Sequence, residues 1–218
     1  MYRRHFIRFA LASLPIGALA AGQPANSPAK QPAQPVVLVV GDSLSAEYGL
    51  ARGTGWVALL EKKLLAEKIP AKVVNASISG DTTSGGRSRL PTLLKTHHPS
   101  VVVIELGSND ALRGLPLAMT EGNLAAMAQA AQQAGAKVML VGMQMPPNYG
   151  ADYGNRFSAL FEKVANAHKA ALAPFMLKGV ADQPDALKLF QADRIHPTAQ
   201  AHPTILNNLW PVLRSLLK

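Results

Sequence analysis

The 218-residue chain contains no cysteine. That absence excludes disulfides, thiolate zinc sites, a thiol nucleophile and lipidation through an N-terminal cysteine. A phosphate-binding loop and a His-Glu-x-x-His zinc pair are also missing. No serine sits in a Gly-x-Ser-x-Gly elbow, which argues against the α/β-hydrolase fold proper. His97, His98 and His168 have no clustering acidic partners and read as solvated side chains, so neither a metal nor a cofactor is expected. No internal repeat or second domain is visible. Acidic residues are scarce, 13 against 22 Lys plus Arg, for a formal charge of +9. Three of those charges are Arg3, Arg4 and Arg8, and the rest are scattered without a stripe of basic and aromatic residues. Nucleic acid is therefore not expected as a partner. The charge reads as ordinary solvated surface or as peripheral attraction to an anionic membrane or polymer surface.

What is present begins with an export pattern. Arg3, Arg4 and Arg8 precede an apolar stretch, Phe9 to Ala20, that ends in the small-residue pattern Ala18-Leu19-Ala20. The stretch is shorter than the about 20 residues a permanent bilayer span needs. Residues 1–20 are thus expected to be a signal peptide cleaved after Ala20, leaving a periplasmic or secreted protein. The order Arg3-Arg4-His5-Phe6-Ile7-Arg8 resembles a twin-arginine signal, and the general secretory route is an equal competitor. Residues 21–34, rich in Pro, Ala and Gln, carry too few large apolar side chains to pack and read as a flexible tether.

Residues 35–218 read as one domain, expected to be monomeric. Four β-branched-rich runs, Val36-Val40, Lys72-Val74, Val101-Leu106 and Lys137-Val141, look like strands buried on both faces. Leu172-Leu177 is a candidate fifth strand, confined to an edge by Pro174. Helical segments are expected over Trp56-Glu67, Gly86-Thr96, Thr120-Ala134, Asn155-Ala171 and Pro203-Leu217. Alternating strands and helices imply an α/β protein with a mostly parallel sheet covered on both faces. Ligands of such open sheets sit beyond the carboxyl ends of the strands.

The residues at those ends carry chemistry. Ser43 follows the first strand, in Gly41-Asp42-Ser43-Leu44-Ser45, and alone is indistinguishable from a helix cap. Gly80 follows the second, where it is either a turn glycine or a source of an unobstructed backbone N–H. Asn109 follows the third, in Gly107-Ser108-Asn109-Asp110, and offers an amide donor. Near the C-terminus, Asp193 stands three residues before His196, a spacing that lets its carboxylate reach Nδ1 of the imidazole. A serine hydroxyl becomes nucleophilic when an imidazole accepts its proton and a carboxylate fixes the tautomer. His202 lacks such a carboxylate and is the poorer base. Asp42 and Asp110 read as loop-fixing acceptors. Glu105, inside an apolar strand, must be paired or near a sheet edge. Gly53-Thr54-Gly55-Trp56-Val57-Ala58 satisfies a dinucleotide pattern but lacks a preceding strand, so it reads as a helix-start turn.

Taken together these motifs resemble the GDSL or SGNH hydrolase family, whose four signature residues correspond to Ser43, Gly80, Asn109 and His196. Asn75-Ala76-Ser77-Ile78-Ser79-Gly80-Asp81-Thr82 and Gly107-Ser108-Asn109-Asp110-Ala111-Leu112-Arg113-Gly114 are most similar to the bacterial periplasmic branch of acyl-CoA thioesterases, lysophospholipases and arylesterases. Ser108 departs from that branch, which often has Gly or Ala there. The resemblance implies a three-layer, flavodoxin-like α/β/α sandwich and metal-free hydrolysis of carboxylic esters or thioesters. Ser43, Asp193 and His196 would be catalytic, and Ser43, Gly80 and Asn109 would hold the oxyanion. Leu112, Arg113 and Leu115, beside Asn109, are the candidate substrate-binding residues for an acyl ester or lipid. Two alternatives remain open at this level: an acetylesterase acting on polysaccharide or peptidoglycan, and a non-catalytic envelope-binding protein.

Overall fold

A computed structural model describes residues 34–218. The expected signal peptide and nearly all of the tether lie outside the described residues. Within them, five strands form one wholly parallel sheet in the order β2-β1-β3-β4-β5. The strands are β1 (Val36–Gly41), β2 (Lys72–Asn75), β3 (Val101–Glu105), β4 (Lys137–Val141) and β5 (Ala171–Ala173). Val37 to Val40 and Val101 to Ile104 are almost wholly buried, as continuous apolar runs in a two-sided sheet must be.

Six helices complete the sandwich: α1 (Trp56–Ala66), α2 (Thr83–His97), α3 (Ser108–Leu112), α4 (Leu117–Gln133), α5 (Ala151–His168) and α6 (His202–Leu216). Helices α1 and α6 pack together on one face, and α2, α4 and α5 on the other. The split follows from right-handed crossovers: the chain moves one way from β1 to β2, then reverses to reach β3, so the helix layer switches. The reversal leaves a crevice between the carboxyl ends of β1 and β3.

The three-layer sandwich expected from the sequence is therefore present. Boundaries differ where local chemistry overrides periodicity. Helix α2 starts at Thr83, three residues early, because the Thr82 hydroxyl accepts from Gly85 N–H at 3.3 Å and caps it. The fifth strand covers only Ala171–Ala173; Pro174 has no N–H to continue the ladder. Helix α5 runs over Ala151–His168 instead of residues 155–171. Five residues are too few for helical periodicity to register, and α3 escapes a sequence reading for that reason. Gly55 stands at the N-terminus of α1, as a helix-start turn requires.

Candidate active site

Because β1 and β3 are neighbours, the turns that leave them meet. In the first, Leu44 N–H donates to Asp42 Oδ1 at 3.0 Å and Ala46 N–H to the Asp42 carbonyl at 3.0 Å, forming a tight turn that presents Ser43. Glu105, at the end of the central strand, supports this turn from beneath: its Oε2 accepts from Asp42 N–H at 3.2 Å and from Ser45 Oγ at 2.7 Å. Ser45 Oγ in turn accepts from Trp56 Nε1 at 3.1 Å. The buried carboxyl is thus paired, at the sheet centre and not at an edge. Burial pushes its pKa well up, and the neighbouring Asp42 carboxylate adds to the shift. Asp42 itself is raised to about 6, chiefly by burial, against the opposing bond from Leu44 N–H, the proximity of His196 and the bond from Asn109.

His196 arrives from the loop between β5 and α6. Its Nε2 lies 2.9 Å from Ser43 Oγ and its Nδ1 lies 2.7 Å from Asp193 Oδ2. The other carboxylate oxygen of Asp193 accepts from the backbone N–H groups of Ile195 and His196, at 2.9 and 3.0 Å. These bonds, the His196 backbone donor first and its ring second, hold the Asp193 pKa down at about 2. The turn closes through Arg194, whose φ of +59° lies in the left-handed region. At this spacing one carboxylate both shapes the loop and orients the ring.

Around Ser43 stand the other sequence-selected residues. Neither the Ser43 nor the Gly80 backbone N–H finds an acceptor among the described residues. Asn109, on the first turn of α3, donates from Nδ2 to Asp42 Oδ2 and to the Asp81 carbonyl, both at 3.0 Å. Leu112 is exposed at the end of α3, and Arg113 reaches across to donate to the Gly80 carbonyl at 2.8 Å. Leu115 is half-buried in the next turn, its N–H bonded to the Asp110 carbonyl. Asp110 also accepts from Thr83 N–H at 2.8 Å, a loop-fixing role as expected. His202 is buried and structural: its Nδ1 accepts from Trp56 N–H at 2.9 Å, and burial lowers its pKa.

Two participants are absent from the sequence reading. The Tyr48 ring lies over His196, with centroids 4.3 Å apart and planes tilted by 38°. Gln191 donates from Nε2 to the carbonyls of Tyr48, at 2.9 Å, and Pro197, at 3.1 Å, joining the serine loop to the histidine loop. Neither belongs to a recognisable motif. Contacts across more than 140 residues of chain leave no local signature.

A hydroxyl, an imidazole and a carboxylate in line, beside two unpaired backbone donors, form an arrangement suited to acyl transfer. Comparison with known proteins agrees. The GDSL-like lipase/acylhydrolase family model matches residues 39–203. Esterase TesA of Pseudomonas aeruginosa is 52% identical over 86% of this chain and 92% of its own length. An arylesterase of Vibrio mimicus is 41% identical over 78% of this chain and 83% of its own. Among solved structures, TesA superposes with a TM-score of 0.80 at 52% identity, covering 83% of this chain and 99% of that one. The psychrotrophic esterase EstA from Pseudoalteromonas, inhibited by monoethylphosphonate, gives 0.78 at 38% identity, covering 84% and 98%. The chain belongs to the GDSL-like lipase/acylhydrolase family of serine hydrolases. It is an enzyme that hydrolyses small-molecule esters or thioesters, which removes the reading as a non-catalytic binding protein.

Proposed function

We propose that Ser43 is the nucleophile, His196 the general base and Asp193 its orienting carboxylate. The observation that carries this reading is the unbroken line from Ser43 Oγ through His196 to Asp193, at 2.9 and 2.7 Å. Ser43 Oγ attacks the acyl carbon while its proton passes to His196 Nε2. The oxyanion is held by the Ser43 and Gly80 N–H groups and by Asn109, which exchanges the Asp81 carbonyl for the substrate oxygen. His196 then protonates the departing alcohol or thiol. Water attacks the acyl-serine, its proton again passing to His196, and the acid leaves as Ser43 recovers its proton. Ser43→Ala, folded as judged by circular dichroism, is expected to abolish turnover of a short-chain aryl ester. Full activity in that variant would refute the assignment.

Leu112 and Leu115 form the acyl-chain wall in this reading, with Arg113 between them. Their support is the exposed position of Leu112 on the helix that carries Asn109. An unchanged acyl-length preference after replacing both leucines by serine would dismiss that role. Carboxylic esters of aryl alcohols and lysophospholipids are the favoured substrates over glycan acetates; the relatives at 40–52% identity are named esterase, arylesterase and thioesterase/lysophospholipase. The signal-like residues 1–20 support export, with a mature monomer starting at Ala21 and basic enough to touch anionic membranes. N-terminal sequencing of the cell-envelope fraction tests the cleavage, and retention of residues 1–20 in a cytoplasmic product would exclude it.

A further inference from the structure

Tyr48 is held from both sides by its backbone. Its N–H donates to the Ser43 carbonyl at 3.4 Å, and its carbonyl accepts from Gln191 Nε2 at 2.9 Å. These bonds set the ring over His196 at 4.3 Å while leaving the residue 49% exposed. The phenol hydroxyl has no hydrogen-bond partner among the described residues; the contact with His196 is made by the ring. About half of this aromatic side chain is thereby left free beside the imidazole, where a bound molecule can reach it.

Stereochemistry says what that is. In acyl transfer the oxyanion donors bind the carbonyl oxygen, and the imidazole must lie beside the leaving-group oxygen to protonate it. Whatever flanks the imidazole therefore borders the leaving group and not the acyl chain. The acyl wall proposed above lies elsewhere, at the end of α3, which carries Asn109, and in the turn that follows it. We propose that Tyr48 is a specificity-determining residue that forms the leaving-group wall of the site and selects esters of aromatic alcohols by ring stacking. This rests on His196 being the base that serves Ser43.

The test uses benzyl and cyclohexylmethyl butyrate. Their acyl groups are identical and their leaving alcohols differ in aromaticity far more than in basicity. The parameter to compare is kcat/KM, which covers steps up to acylation; hydrolysis of the common butyryl-enzyme cannot distinguish the two esters. The wild-type enzyme should favour the benzyl ester. Tyr48→Leu should lower the benzyl to cyclohexylmethyl ratio by about 2- to 10-fold, the range expected for one lost aromatic pair, and Tyr48→Phe should keep it. Benzyl alcohol should also inhibit the wild-type enzyme more strongly than cyclohexylmethanol, a measurement that needs no variant. The proposal is overturned if the ratio is unchanged in Tyr48→Leu, if both esters slow equally, or if Tyr48→Phe loses the preference as fully as Tyr48→Leu. A fully active Ser43→Ala enzyme would instead overturn the nucleophile assignment beneath it.

Discussion

Asn109 shows how one side chain can be committed twice. Its amide bonds to Asp42 and to the Asp81 carbonyl keep it beside Ser43, so in the proposed role only the Asp81 bond has to be exchanged for the substrate oxygen while the bond to Asp42 holds the amide in place. Preorganisation of this kind is the reason oxyanion donors matter more than an ordinary hydrogen bond. Asn109→Ala is expected to lower kcat by about 100- to 1000-fold with little change in KM. Steady-state kinetics on the aryl ester would check this, and a loss confined to KM would place Asn109 in ground-state binding only. Below Ser43, Gly41 has no space for a side chain: a Cβ there would lie 2.7 Å from Glu105 Oε2 and 2.8 Å from Ser45 Oγ. The absence of a methyl group at residue 41 is what lets Glu105 reach the turn.

At the scale of elements, the sheet edge is as constrained as its centre. Gly142, just past β4, lies against the chain leaving β5: Gly142 N–H donates to the Ala173 carbonyl at 2.7 Å, and Met176 N–H to the Gly142 carbonyl at 3.2 Å. A Cβ on Gly142 would stand 2.2 Å from the Pro174 carbonyl oxygen. Backbone cannot rotate away as a side chain can. Gly142→Ala should therefore destabilise the domain by about 1–3 kcal/mol, the range for overpacked sites, read as a lower midpoint in urea denaturation. An unchanged midpoint would mean that β5 moves at no cost. The central strand makes the complementary point, because Glu105 links the end of β3 to the turn after β1 and, through Ser45, to Trp56 of α1.

For the whole molecule, these buried acids shape stability against pH. Asp42 and Glu105 have folded-state pKa values above their ordinary ones, so the folded chain binds more protons than the unfolded chain once pH exceeds about 4. Stability must then fall as pH rises, for Asp42 between about 4 and about 6 and for Glu105 over a window reaching further. Asp193 acts in the opposite sense: held at about 2, it contributes stability present above its unfolded pKa and lost as pH falls toward 2. From these three groups, maximum stability is thus expected near the ordinary carboxyl range, about pH 4, with a decline toward neutrality. Glu105→Gln should flatten the decline and be more stable than wild type at pH 8, because its amide oxygen still accepts from Asp42 N–H. Glu105→Leu should lose about 1–3 kcal/mol by stranding those donors. Urea titrations from pH 4 to 9 would check both, and a wild-type curve rising steadily over that range would contradict the argument.

Alternating apolar runs and helical stripes determined the sandwich, since a parallel sheet buried on both faces allows little else. Short-range spacing likewise made Asp193 and His196 a pair, and the strand-end motifs marked Ser43, Gly80 and Asn109, because the chemistry of those positions is local in the chain. What only the tertiary structure decided is everything that depends on distant segments meeting. The strand order brought the turns after β1 and β3 together, Gln191 joined loops more than 140 residues apart, Glu105 became a support for the turn that carries Ser43, and Tyr48 settled on His196. Such contacts follow from packing and not from periodicity, so a single sequence holds no pattern from which to read them.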